Sequence, residues 1–208
     1  MTYPRCYILC AGPAEGEIPL PAPGDFIICC DGGLAVAQRL SITPDLIVTD
    51  HDSYTGPMPA GIPVLELPVE KDDTDSMKAI RVGFERGFKD FLLVCALGGR
   101  LDHTVGNLQA LGYILDQGGR GEAVGCGDRA MIVENGRMAF QGRPGQYVSA
   151  FAVDGEARGV TTEGLHYPLH DATLTGSFPL GVSNKLEGTE AAYRVREGRL
   201  LVILPGEE

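Results

Sequence analysis

Phe91-Leu92-Leu93-Val94-Cys95-Ala96 runs into Gly98-Gly99-Arg100-Leu101-Asp102-His103, and the change of rhythm across Leu97 decides the fold. A short unbroken apolar run bounded by a turn reads as a strand buried on both faces. Beyond the glycine pair, Leu108, Leu111 and Leu115, with Thr104 behind them, fall on one helical face. Three earlier runs repeat the pattern. Phe26 to Cys30 leads into Asp31-Gly32-Gly33, Leu46 to Val48 into Asp50-His51-Asp52-Ser53, and Val64 to Leu67 into Lys71-Asp72-Asp73-Thr74-Asp75. After the last of these, Met77, Ile80 and Phe84 again share a helical face. Strand, loop and helix recurring from Arg5 to about Gly125 predict a mostly parallel sheet covered on both faces. Parallel strands place all four loops on one edge, the carboxyl edge where open α/β sheets take their ligands.

After about Asp128 the rhythm changes to short apolar or alternating runs between glycine turns: Met131 to Val133, Met138 to Phe140, Tyr147 to Val153, Val160 to Thr162, Tyr193 to Val195 and Leu200 to Leu204. Glu134-Asn135-Gly136-Arg137 and Arg196-Glu197-Gly198-Arg199 read as tight hairpins. The expected architecture is an α/β chain of two domains: an α/β catalytic domain over 1–128, then an antiparallel β-sandwich over 129–208. The stretch from Pro19 to Pro23 reads as a surface loop.

A chain of 208 residues that is 44% apolar can fill a substantial core. Its net charge of -11 argues against a nucleic-acid partner, which requires a basic face. No run approaches the length of a membrane span, and the N-terminus lacks the pattern of a secretion signal, so the expectation is a cytoplasmic protein without a membrane partner. The six cysteines lack the spacing of a zinc knuckle, and five lie in or beside strands, which suits buried reduced thiols.

The acids are concentrated. Between Asp45 and Asp75, eight of them (Asp45, Asp50, Asp52, Glu66, Glu70, Asp72, Asp73 and Asp75) face one base, Lys71. Magnesium takes oxygen ligands, usually one to three carboxylates with phosphates and water. Asp50 and Asp52, two apart, can reach one ion, and Asp72, Asp73 and Asp75 offer further oxygens before a helix that starts near Thr74. An aspartate there equally serves as a helix cap.

These motifs, taken in order with Pro44-Asp45, Asn107, Gly164-Leu165 and Gly181-Val182-Ser183-Asn184, resemble those of the thiamine pyrophosphokinase family over nearly the whole chain. The resemblance implies transfer of the terminal pyrophosphate of ATP to thiamine, releasing AMP, by a magnesium-dependent homodimer with thiamine between the α/β domain of one subunit and the sandwich of the other. It implies Asp50, Asp52 and Asp75 as magnesium ligands and Asp31, Gly32, Gly33, Asp72, Thr74, Gly99 and Asn107 at the nucleotide. Arg100 and Asp102 would line the phosphate and thiamine sites, with Ser183 and Asn184 on thiamine. The proton of the attacking alcohol would pass to Asp102 or Asp75, and Lys71 would add positive charge, as would Lys78 unless it is simply solvated near the start of the second helix. Two alternatives keep parts of this reading: a pyrophosphokinase for another small alcohol such as a pterin, and a protein that binds thiamine or its diphosphate without turnover.

The chain departs from the family in two places. Thr49-Asp50-His51-Asp52-Ser53 stands where Gly-Asp-Phe-Asp-Ser is usual, so His51 either touches phosphate or packs behind the loop. There is no tryptophan, which leaves Tyr167 and Phe178 as candidates to stack on the thiamine rings.

Overall fold

The computed structural model describes residues 4–68 and 73–206. The chain divides into two compact units, Met1–Gly127 and Asp128–Glu208.

Among the described residues the strands of the first unit are β1 (Cys6–Leu9), β2 (Phe26–Cys30), β3 (Leu46–Thr49), β4 (Val64–Glu66), β5 (Asp90–Val94) and β6 (Arg120–Gly125). All pair in parallel, in the order β4-β3-β2-β1-β5-β6. The chain builds outward from β1 through β4, then returns to the other side of β1 with β5, so the strand order reverses at the β1/β5 boundary. A crevice at such a reversal is where this kind of sheet binds ligands.

Three helices cover the sheet: α1 (Gly33–Arg39), α2 (Asp75–Glu85) and α3 (Leu101–Asp116). Strand side chains alternate between faces. Tyr7, Leu9, Cys29 and Ile47 pack with Leu34, Val36 and Ala37 of α1, while Cys6 and Phe91 lie against Gly83 of α2. A side chain at Gly33 would meet the Leu9 carbonyl oxygen at 2.2 Å, so glycine lets α1 start hard against β1. The buried face of α3 is Asn107, Ala110, Leu111 and Ile114, with Leu108 and Leu115 half-buried at its margins. The predicted leucine stripe is thus rotated, because Asn107 faces inward to a polar partner.

Cys6, Cys10, Cys29, Cys30 and Cys95 are free and buried, and Cys126 is half-buried. Burial pushes the Cys6 and Cys29 thiols up to about 12, and a hydrogen bond with Cys10 raises Cys30. Such thiols behave as small hydrophobes. No helix among the described residues is long and apolar enough to cross a membrane.

The second unit is antiparallel throughout. Its strands are β7 (Asp128–Glu134), β8 (Arg137–Gln141), β9 (Tyr147–Glu163), β10 (Ala172–Thr175), β11 (Gly181–Lys185), β12 (Glu190–Arg194) and β13 (Glu197–Leu204). The two runs expected at Tyr147 to Val153 and Val160 to Thr162 are one long strand. Its first half pairs with β13 and β11 and its second with β10 and β12. Asp154, Gly155 and Gly159 have φ of 59°, 114° and 67°, which bends the strand from one sheet of a sandwich into the other. Val133, Phe140, Val148, Val160, Tyr193, Leu200 and Val202 fill the core between them.

Neither predicted hairpin is one. Among the described residues β7 pairs with β13 and β8 with β12, so Asn135-Gly136 and Glu197-Gly198 turn corners between sheets. The two corners hold each other: Asn135 N–H donates to the Gly198 carbonyl at 3.2 Å, and Gly198 N–H donates to Asn135 Oδ1 at 2.8 Å.

Candidate active site

At the carboxyl edge of the parallel sheet, the loops after β1, β2, β3 and β5 enclose a cavity of about 790 Å³ with the starts of α2 and α3. It is lined by Gly12, Asp31, Gly32, Asp50, Asp52, Ser53, Asp73, Thr74, Asp75, Gly99, Arg100 and Asn107, among others. Gly98 and Gly99, at φ of 78° and 71°, let the chain leave β5 and enter α3 through a conformation that favours glycine.

Asp31 organises this edge. It is 3% exposed, and its Oδ2 accepts the backbone N–H groups of Ser53 at 2.8 Å and Tyr54 at 3.0 Å. Its Oδ1 accepts the hydroxyl of Thr49. The carboxylate at the end of β2 therefore fastens the loop after β3. Within that loop Asp52 N–H donates to Asp50 Oδ1 at 3.2 Å, and Ser53 Oγ donates to Asp52 Oδ1 at 2.6 Å. Asp31, Asp50 and Asp52 consequently bring one carboxylate oxygen each to within 4.8 Å of one another. Three hard oxygen donors at that spacing fit a magnesium ion. The trio includes Asp31, and Asp75, which the family resemblance implies as a third ligand, lines the same cavity.

Thr74 caps α2: its hydroxyl accepts Met77 N–H at 3.2 Å, an interaction that contributes about 1 kcal/mol. The cap is thus a threonine, and Asp75 occupies the first helical turn, where its charge suits the helix dipole. Asp73, also on the cavity, pairs with Arg81 at 3.1 Å. Ser76 Oγ donates to Asn107 Oδ1 at 3.0 Å, and Asn107 Nδ2 donates to the Ala96 carbonyl at 2.8 Å. Asn107 accordingly braces the start of α2 against α3 and the end of β5. Nothing in the sequence around Ser76 signals this bridge, because it joins residues 31 apart.

Arg100 lines the cavity and forks onto Asp102, with Nε to Oδ1 at 3.1 Å and Nη2 to Oδ2 at 2.6 Å. The Arg100 bond holds the Asp102 carboxyl down at about 2. With the folded value depressed, the pairing is present above the ordinary carboxylate range and is lost only as pH falls through about 2. Asp102 is not among the cavity-lining residues.

The other expected site residues divide. Gly33 serves the packing of α1 on β1. Asp72 and Lys71 lie outside the described residues. His51 is exposed, with Nε2 3.6 Å from Glu66 Oε1, so it is neither packed behind the loop nor part of the cavity wall. The loop after β1, Cys10 to Pro13, is a wall that the acid pattern did not reveal, because it carries no acid.

In the second unit Asn184 is 6% exposed and clamps Tyr167 on both sides. Its Oδ1 accepts Tyr167 N–H at 2.9 Å, and its Nδ2 donates to the Tyr167 carbonyl at 2.8 Å. The ring of Tyr167 is left exposed. Ser183, at φ 59°, sits in an irregularity of the β11/β9 pairing. Phe178, Leu180 and Val182 are also exposed.

A second cavity, of about 650 Å³, lies at the opposite edge of the sheet. Its cations are engaged: Arg120 with Asp90, Lys89 with the Gln117 carbonyl, and Arg86 over the Phe26 ring. Among the described residues, Asp90 is the carboxylate in its lining.

Residues 22–119 match the family model described as thiamin pyrophosphokinase, catalytic domain. Residues 137–200 match that of the thiamin pyrophosphokinase vitamin B1 binding domain. A comparison with curated proteins finds no match. Among solved structures, a thiamine pyrophosphokinase from Bacillus subtilis superposes with a TM-score of 0.88 at 22% identity, covering 98% of this chain and 100% of that one. One from Geobacillus thermodenitrificans gives 0.81 at 24%, covering 98% of each chain. The Candida albicans enzyme gives 0.75 at 16%, covering 97% of this chain and 89% of its own.

Proposed function

The chain belongs to the thiamin pyrophosphokinase family, and on that premise we propose how its own residues transfer a pyrophosphoryl group from ATP to thiamine, leaving AMP. The observation that carries the proposal is the convergence of Asp31, Asp50 and Asp52 beside two helix N-termini in one cavity. Phosphoryl-type transfer needs charge neutralised on the reacting oxygens and the alcohol held in line with phosphorus. Asp50 and Asp52, with Asp31, would hold magnesium, and Asp75 would complete the acidic wall. Magnesium supplies charge neutralisation across the phosphate oxygens when bound.

The N-termini of α2 and α3 and the loop at Gly98-Gly99 present backbone N–H groups suited to phosphate. Arg100, held in orientation by Asp102, supplies a cation on the same cavity. Asp75 is the better placed of the two carboxylates to accept the alcohol proton, since it lines the cavity and Asp102 does not. Ser183, Asn184 and the exposed Tyr167 ring are assigned to thiamine, with Asn184 acting through its clamp on the Tyr167 backbone. The family resemblance further implies a cytoplasmic homodimer with ATP and thiamine as its small-molecule partners.

Arg100→Ala should lower kcat about 10- to 100-fold with little change in thermal stability, because exposed ion pairs contribute little. Steady-state kinetics beside thermal unfolding checks this, and unchanged kinetics would make Arg100 an ordinary surface residue. The reaction itself is tested by supplying ATP and magnesium with thiamine, with a pterin alcohol, or with no acceptor. Product in the thiamine arm alone supports the proposal. Product in the pterin arm alone, or thiamine binding without turnover, would replace it.

A further inference from the structure

Thr49 is the last residue of β3, and its side chain is 0% exposed. Its hydroxyl donates to Asp31 Oδ1 and accepts the His51 backbone N–H at 2.9 Å. A hydroxyl has one proton to give and lone pairs to receive with. Here the proton fixes the carboxylate and a lone pair fixes the loop, neither of which a side chain without a hydroxyl can do. His51 is the residue at which the loop reverses between Asp50 and Asp52, at φ 64°, so the N–H that Thr49 holds sits between two of the three acids. Among the described residues Thr49 is the donor to Oδ1 of Asp31, while Ser53 and Tyr54 donate to Oδ2.

We propose that Thr49 is a positioning residue for pyrophosphoryl transfer: its hydroxyl sets the orientation of Asp31 against the Asp50-His51-Asp52 loop and thereby the metal affinity of the trio. The inference rests on Asp31, Asp50 and Asp52 being the metal site. Without the hydroxyl, the carboxylate loses the bond on Oδ1 and keeps only the two on Oδ2, and the His51 N–H loses its acceptor. Partners that orient metal ligands in this way typically govern affinity by about 10- to 100-fold.

The test is Mn2+ binding without nucleotide, read from the electron paramagnetic resonance signal of the free ion, well below each variant's unfolding temperature. Wild type, Thr49→Val, Thr49→Ala, Thr49→Ser and Asp52→Asn are compared. Thr49→Val and Thr49→Ala should bind Mn2+ about 10- to 100-fold more weakly, and Thr49→Ser, which keeps the hydroxyl, should stay within about twofold of wild type. The alanine variant reads the same loss should valine fail to fold. A purely packing role predicts lower thermal stability with unchanged Mn2+ affinity, and that result overturns the proposal. So does a serine variant as weak as valine. Wild type that does not bind Mn2+, or binding indifferent to Asp52→Asn, removes the metal reading itself and the role of Thr49 with it.

Discussion

Asp52→Asn, assayed at saturating ATP, thiamine and magnesium, should turn over at least about 100-fold more slowly than wild type while unfolding at nearly the same temperature. Asp52 is exposed on the cavity wall and accepts a 2.6 Å bond from the neighbouring Ser53 hydroxyl, which an amide oxygen can still accept. Surface substitutions of this kind change stability by about 0.5 kcal/mol or less. What the amide removes is charge, and a neutral ligand holds magnesium poorly. The same split is expected for Asp50→Asn, and for Asp75→Asn on the adjoining wall. Near-normal turnover in Asp50→Asn or Asp52→Asn would take that residue out of the metal shell, and near-normal turnover in Asp75→Asn would remove it as the proton acceptor.

Asp31→Asn should behave differently, losing turnover and stability together. The buried carboxylate accepts from three donors, two on one oxygen and one on the other. An asparagine replaces one of those acceptors with a donor, so the NH2 must face either the Thr49 hydroxyl or the Ser53 and Tyr54 amides. Each buried donor left unpaired costs about 1–3 kcal/mol, which for a chain of this size lowers the unfolding temperature by roughly 2–4 °C per kcal/mol. Thermal unfolding beside kinetics separates the two residues: Asp52 as a ligand alone, Asp31 as ligand and brace. Full stability in Asp31→Asn would mean the loop after β3 holds its shape unaided. Because Thr49 and Asp31 share a hydrogen bond, their substitutions should not add.

The parallel sheet and its acid-bearing edge were readable from residues alone because both rest on local pattern. An apolar run such as Phe91 to Val94 is a strand wherever it is buried on both faces, and the loop leaving such a strand necessarily lies on its carboxyl edge. The β-sandwich was readable as a class but not in its wiring. Asn135-Gly136 and Glu197-Gly198 have hairpin composition, yet they turn between sheets, since their flanking strands find better partners far along the chain. The bend in β9 broke one strand into two apparent ones at Asp154 to Gly159. Within the site, Asp50 and Asp52 were evident from spacing. The third member of the trio was not, because Asp31 reaches it through bonds to residues 18 to 23 positions away. The partner of Asp102 was not evident either: its carboxylate is held by Arg100, which lines the cavity.

The most direct test is the stoichiometry of products from ATP and thiamine with magnesium, with both products identified by mass, in wild type and Asp52→Asn side by side. One AMP for each thiamine diphosphate in the wild type, with both lost together in the variant, is the predicted result. ADP with thiamine monophosphate, or AMP that forms equally without thiamine, would contradict pyrophosphoryl transfer at this cavity.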